Sequence, residues 1–178
     1  DVQPICKQVT NLVDAAELHL RDPKNLDFRP RANSAIIDAG TILTNTEFSE
    51  LNQSSYLGKA PDIGPYEFGD ENYWIPGFQY PNASTPIPPD RATDVKLDAD
   101  LMWLNGYKSN IHAVYFGSDR EAVRNADPES KLYFDKQDNN IFTPPKLESG
   151  KTYFWRVDAY NADRIESGHV WQFTVSNQ

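Results

Sequence analysis

Three carboxylates in the two most distinctive strings of this sequence are the first candidates for chemistry. Asp38 lies in Ser34-Ala35-Ile36-Ile37-Asp38-Ala39-Gly40, and Asp62 and Glu67 lie in Ala60-Pro61-Asp62-Ile63-Gly64-Pro65-Tyr66-Glu67. A pair of carboxylates can perform general acid–base work on a glycosidic bond, and clustered carboxylate oxygens can hold Ca2+. Here each aspartate stands two residues before a glycine. From that position a short acidic side chain accepts backbone N–H bonds in a tight turn. The turn role outweighs the catalytic one, so no catalytic residue, no metal ligand and no cofactor is assigned, with structural Ca2+ as the minor alternative.

The other reactive residue types are sparse. His19, His112 and His169 are far apart, and none has a second His or a Cys at metal-ligand spacing, so surface positions are expected for them. Cys6 is the single cysteine, which excludes an internal disulfide and a multi-Cys zinc site. It is expected as a buried thiol, with no positioned base to make it a nucleophile. No glycine-rich phosphate loop, Gly-x-Ser-x-Gly or His-Glu-x-x-His string occurs.

The aromatic residues carry the remaining binding chemistry, since sugar rings stack their apolar faces on exposed aromatic side chains. Trp103, Tyr115, Trp155, Trp171 and Phe173 fall on apolar strand faces and are assigned to the core. Phe154, Tyr160 and Tyr107 fall on the polar face of a strand or in a turn, and Trp74 lies in a loop. These four are the carbohydrate-binding candidates. Trp74 also stands, with Tyr73 and Phe78, as a staple between the two halves of the chain. Lys108, Arg120, Arg124, Lys131, Lys136 and Arg156 offer forks and point charges suited to carboxylate or sulfate. They are interspersed with acids, and a formal net charge of −9 opposes long-range attraction of a polyanion. A solvated face is therefore the expectation for them.

The elements that must position these residues are short strands. Leu101–Leu104, Ala113–Phe116, Tyr153–Tyr160 and Val170–Val175 are apolar or alternating runs separated by turn strings such as Asn105-Gly106 and Ser167-Gly168. In the third run Tyr153, Trp155, Val157 and Ala159 share one face, and Arg156 and Asp158 the other. A short helix is predicted over 119–126 with Ser118 as its N-cap. This spacing predicts an all-β sandwich over residues 90–178. The stretch 76–89, rich in proline, is predicted to be a semi-rigid linker. In residues 1–75 the pieces Leu18–Leu20, Leu26–Phe28 and Ala35–Ile37 are strand-sized and closely spaced, too few for a sandwich but suited to a terminal solenoid coil.

Composition bounds the function classes. The chain has 178 residues with an isoelectric point near 4.7. That acidity disfavours generic nucleic-acid binding, which draws on clustered positive charge. No run approaches the ~18 apolar residues of a membrane-spanning helix. The chain begins at Asp1 without a leader-like segment, and so is expected to be processed or cut from something longer.

Two resemblances sharpen this reading. Residues 88–176, with Val114-Tyr115-Phe116-Gly117, then Thr152-Tyr153-Phe154-Trp155-Arg156-Val157-Asp158-Ala159-Tyr160-Asn161, then Val170-Trp171-Gln172-Phe173-Thr174, resemble a fibronectin type III domain of the kind appended to secreted bacterial polysaccharide-degrading enzymes. By that resemblance Tyr153 takes the tyrosine-corner position and Trp103 that of the buried strand tryptophan. Residues 14–78, with Asp27-Phe28-Arg29-Pro30-Arg31-Ala32-Asn33-Ser34-Ala35-Ile36-Ile37-Asp38-Ala39-Gly40 and Pro61-Asp62-Ile63-Gly64-Pro65-Tyr66-Glu67, are similar to the close of right-handed parallel β-helix enzymes.

Together the resemblances imply the coil and cap of a β-helix over 1–75, a linker over 76–89 and a fibronectin-like sandwich over 90–178. The chain would be the non-catalytic C-terminal region of a secreted or cell-surface polysaccharide lyase or glycoside hydrolase. Its catalytic residues would lie in an upstream β-helix, and its partners would be that β-helix and a polysaccharide, neutral or anionic. The alternatives are a carbohydrate-binding module and an adhesin-type or spacer domain.

Overall fold

The computed structural model describes residues 18–42, 56–162 and 164–177; Cys6 lies outside the described residues. The chain divides into two compact units, residues 1–21 with 28–70, and residues 22–27 with 71–178. The described residues are almost all β or turn, with a single α-helix. None of their helices is long and apolar enough to cross a membrane.

Strands β1 (Leu20–Asp22) and β2 (Asp27–Pro30) form a two-stranded sheet joined through a 3-10 turn at Pro23–Asn25. So short a connection closes a hairpin, whereas parallel stacking in a solenoid coil needs a crossover of a dozen or more residues. Ala35–Ile37, expected as a strand, is a turn instead. Asp38 takes the left-handed region at φ 55°, which ends any extended run. The Ile36 carbonyl accepts the N–H of both Ala39 and Ile63.

The second unit is a two-sheet sandwich. The small sheet has the order β3 (Ser84–Ile87), β5 (Leu101–Leu104), β8 (Ile141–Phe142), all antiparallel. The large sheet has the order β4 (Ala92–Val95), β11 (Trp171–Val175), β9 (Thr152–Tyr160), β6 (Ile111–Gly117), β7 (Tyr133–Gln137). In it β4 and β11 run parallel and the other pairs antiparallel, and β10 (Ile165–Glu166) pairs the far end of β9.

The inner faces meet in one core, to which the small sheet gives Leu101 and Trp103, and the large sheet Val114, Phe116, Tyr153, Trp155, Val157, Trp171 and Phe173. Register stacks the rings: Trp155 sits opposite Trp171 and Phe116, and Tyr153 opposite Phe173. The Phe116 and Tyr153 rings lie 5.2 Å apart and 16° from parallel. Burying two tryptophans as fully as Trp103 and Trp155 contributes several kcal/mol, at about 25 cal/mol per Å2 of apolar surface.

Ser84–Ile87 lies inside the proline-rich stretch predicted to be a linker, yet it forms a strand. Proline lacks a backbone donor, but β3 is an edge strand and bonds on one side only, which is where a sheet accepts proline. Ala83 and Ile87, both buried, hold it down. The predicted helix is present as α1 (Arg120–Asn125), but its N-cap is Asp119 rather than Ser118. The Asp119 carboxylate accepts the Ala122 N–H at 2.7 Å, and its charge also suits the positive end of the helix.

Candidate functional site

The carboxylates of the first unit are engaged by the backbone. Asp38 Oδ1 accepts the N–H groups of Lys59 at 2.6 Å and Ala60 at 3.1 Å. Asp62 Oδ1 accepts from Asp38 N, and its Oδ2 from Phe68 N. Glu67 reaches the N–H groups of Asp62 and Leu57. The bonds from Ala60 and Lys59 hold the Asp38 carboxyl below its usual pKa, as charge-assisted bonds to an anion do. Gly58, at φ 96°, leaves room for that carboxylate, which a side chain would strike. These three side chains thus tie loops together, the role their turn positions imply. No group of three or more His, Cys, Asp or Glu fit to hold a metal ion occurs among the described residues.

In the second unit, the outer face of β9 departs from the expected solvated surface. Arg156 is 5% exposed and Asp158 6%, because α1 and the turn after it lie over them. Arg156 Nε and Nη2 grip the two oxygens of Asp158, at 2.9 and 3.1 Å. Its terminal nitrogens also donate to the carbonyls of Val123, Arg124 and Ala126 at the end of α1. All five N–H groups are therefore spent, and Arg156 is a structural clamp that has no donor left for a ligand. Asp158 Oδ1 also accepts from Ser167 Oγ and Gly168 N, fixing the turn before β11.

His112 is likewise not on the surface. It lies in β6 two residues before Val114, on the core-facing side, fully buried. Its ring packs edge-on against Trp103, 5.6 Å between centroids, and its Nε2 is 3.5 Å from Ser109 Oγ. Burial lowers its pKa to about 4, so it is neutral near pH 7. Extending the alternation of Val114 and Phe116 back by one step would have placed it there. His169, as expected, is exposed.

The four carbohydrate-binding candidates do not form one platform. Phe154 and Tyr160 share the outer face of β9 but stand about 20 Å apart at 3.3 Å per residue. Phe154 lies opposite Gly117 and Gln172, and Tyr160 opposite Ile111. Both are half-buried, and each ring has a cation over it: the Arg120 guanidinium 5.9 Å from the Phe154 centroid, and Lys136 Nζ 4.0 Å from that of Tyr160. Burial, and then the charge of Asp158, raise the Tyr160 hydroxyl pKa above its usual value. Tyr107 is 54% exposed and Trp74 64%. Of the three residues expected as a staple, Tyr73 alone is buried. Its N–H and carbonyl are both bonded by the Asn140 side chain, and its hydroxyl donates to the Leu26 carbonyl.

Tyr107 is the candidate that the fold builds into a cleft. Asn105-Gly106 turns the chain out of β5, and the Tyr107 N–H donates to the Tyr80 carbonyl at 2.7 Å. Gly106 permits this approach, since a Cβ there would sit 2.5 Å from the Pro81 oxygen and 2.8 Å from Ala159. The cleft, about 340 Å3, is lined by Pro81, Tyr107, Lys108, Asn161, Ala162 and Arg164. Along the segment leading to Pro81, Phe78 and Tyr80 are 75% and 54% exposed and pack edge to face at 5.2 Å. Lys108 Nζ lies 5.3 Å from the Tyr107 ring centroid. Aromatic faces beside hydrogen-bonding side chains are what a sugar ring needs. The sequence offered Tyr107 and Lys108 but not Pro81, Asn161 or Arg164 beside them, because these loops come together only in the folded sandwich.

A second and larger groove, about 530 Å3, lies elsewhere on the second unit. Arg120, Arg124, Asp90, Ser167 to Trp171 and the edge of Arg156 line it.

No protein-family model and no curated protein matches this sequence. Among solved structures, the chain is similar to a Streptomyces avermitilis alpha-L-rhamnosidase complexed with L-rhamnose, at 20% identity and a TM-score of 0.39, over 53% of this chain and 10% of that one. It is also similar to an alpha-L-rhamnosidase from Dictyoglumus thermophilum, at 18% identity and a TM-score of 0.38, over 55% of this chain and 13% of that one. The chain therefore spans little more than a tenth of either.

Proposed function

We propose that this chain is a non-catalytic region of a secreted bacterial polysaccharide-degrading enzyme, a lyase or a glycoside hydrolase. Residues 1–75 cap its β-helical body, and the sandwich from β3 to β11 forms a fibronectin type III accessory domain that binds polysaccharide. The observation that carries the binding role is the Tyr107 cleft, lined also by Pro81 and by the donors of Lys108, Asn161 and Arg164, with the exposed rings of Phe78 and Tyr80 in the segment leading to Pro81. Three features support the fibronectin reading. The strand orders β3-β5-β8 and β4-β11-β9-β6-β7 are those of a Greek-key sandwich. The Tyr153 hydroxyl, at the start of β9, accepts the Glu148 N–H five residues upstream at 3.0 Å, as a tyrosine corner does. Trp103 is fully buried in β5. The non-catalytic reading is supported by the backbone bonds that occupy Asp38, Asp62 and Glu67.

Affinity gel electrophoresis against neutral and anionic polysaccharides tests this. Retardation by at least one polymer, lost in Tyr107→Ala, is the expected result. Migration unchanged by every polymer overturns the binding role, and cleavage of any polymer by this chain overturns the non-catalytic one.

A further inference from the structure

The larger groove has a charge arrangement that neither the fold nor the Tyr107 cleft uses. Arg120 opens α1, and Arg124 lies one turn on, so both project from the same side of the helix. Arg120 is held in place from below: Nη1 donates to Gln172 Oε1 at 3.1 Å, Nη2 to the Val170 carbonyl at 3.4 Å, and its guanidinium lies over the Phe154 ring. These contacts use two of its five N–H groups and engage no carboxylate. Arg124 pairs with Glu121 at 2.9 Å, but both side chains are more than half exposed, and such a pair is easily exchanged. Arg156, at the groove's edge, is neutralised by Asp158. Among the described residues Asp90 is the one carboxylate that lines the groove, and its Oδ1 already accepts the Gln172 N–H.

The geometry points to a binding site for the carboxylate of a hexuronate residue, gripped by Arg120 and Arg124. An arginine already fixed in position loses little freedom on binding, and its planar fork matches a carboxylate. Val170 adds an apolar edge beside the charge, which suits an acid carried on a sugar ring better than a free inorganic anion. This inference rests on the polysaccharide-binding reading and assigns it an acidic polymer. It also gives Phe154 a different role from the one its sequence position implies: the ring supports Arg120 rather than stacking on sugar. Because the chain is acidic overall, attraction is local to the groove and is screened by salt.

The test is affinity electrophoresis of the whole chain in gels containing polygalacturonate, with xylan as the neutral arm and sodium sulfate as a competitor. Retardation by polygalacturonate is expected to weaken about tenfold in Arg120→Gln, the loss of one charge-assisted contact, and to fall with added sodium chloride. Arg124→Gln, at an exposed position with no packing to lose, is expected to weaken it as well. Polygalacturonate binding that survives both variants overturns the inference, as does binding to xylan alone, which leaves the polysaccharide-binding reading intact. Retardation by neither polymer overturns the inference, and the binding role falls with it only if every other polymer of the panel also leaves migration unchanged. Displacement by millimolar sulfate as effective as that by galacturonate oligomers overturns the assignment to a sugar acid.

Discussion

Lowering the pH from 6.5 to 4 protonates a group buried in the core of the sandwich, His112. In the unfolded chain its imidazole takes up a proton near pH 6.5, and in the folded protein only near pH 4. Between those values the unfolded state holds one proton more, so unfolding gains ground as pH falls, and stability rises with pH up to 6.5. A separation of about 2.5 pH units at 1.36 kcal/mol per unit amounts to about 3 kcal/mol. The cause is burial: the ring is fully enclosed against Trp103, with a hydroxyl, Ser109 Oγ, as its polar neighbour.

The assay is urea unfolding followed by tryptophan fluorescence at pH 4.0, 5.0, 6.5 and 7.5. All four tryptophans, Trp74, Trp103, Trp155 and Trp171, belong to the second unit, so the signal reports the unit that contains His112. With a slope of about 1.5 kcal/mol per molar urea, the midpoint moves down by about 2 M between pH 6.5 and pH 4. His112→Leu keeps an apolar side chain at this place and removes the proton site. Its midpoint is expected to move far less than the parent's over the same interval. Carboxyls with lowered pKa, such as that of Glu148, which is paired with Lys151, lose their contribution as pH falls below their ordinary values. They act alike in both proteins and cancel in the difference. A variant that keeps the full pH dependence of the parent refutes the reasoning.

Four further outcomes follow from the structure. Arg156→Ala leaves Asp158 buried without its cation and uncaps the end of α1, and is expected to cost about 3–5 kcal/mol in urea unfolding. Asn140→Ala strands the buried N–H and carbonyl of Tyr73 and the Trp103 carbonyl, with an expected loss of about 3 kcal/mol by the same measurement. Asp119→Ala removes the N-cap of α1 and is expected to cost about 1 kcal/mol, while Ser118→Ala is expected to cost little. Gly58→Ala forces a side chain into a left-handed backbone against the Asp38 carboxylate, so the amides of Lys59 and Ala60 are expected to exchange hydrogen markedly faster than in the parent.

Much of the sandwich was legible because its signal is local. Strand β5 was read with its bounds, and β6, β9 and β11 within two residues, since an apolar face repeated at period two needs only neighbouring residues to be seen. Trp103, Trp155, Trp171 and Phe173 are likewise assigned to the core by their place in that pattern, and are buried there. The strands missed, β3, β4, β7, β8 and β10, lack that pattern. Ser84–Ile87 carries a proline, and Ile141–Phe142 and Ile165–Glu166 are too short to show a period. They exist because a partner strand supplies the hydrogen bonds.

What the sequence determined by itself was therefore the all-β class, the inward set of the long strands and the turn-bound role of Asp38 and Asp62, each a property of residues close together in the chain. Tertiary structure decided the rest. It buried His112 and Arg156 by laying other elements over them, it drew Tyr80 and Pro81 against Tyr107, and it aimed Arg120 and Arg124 into one groove with Val170. The physical reason is that burial and ligand geometry depend on which strand lies beside which. That choice is made by the summed packing of a core assembled from distant segments, and no window along the chain contains it.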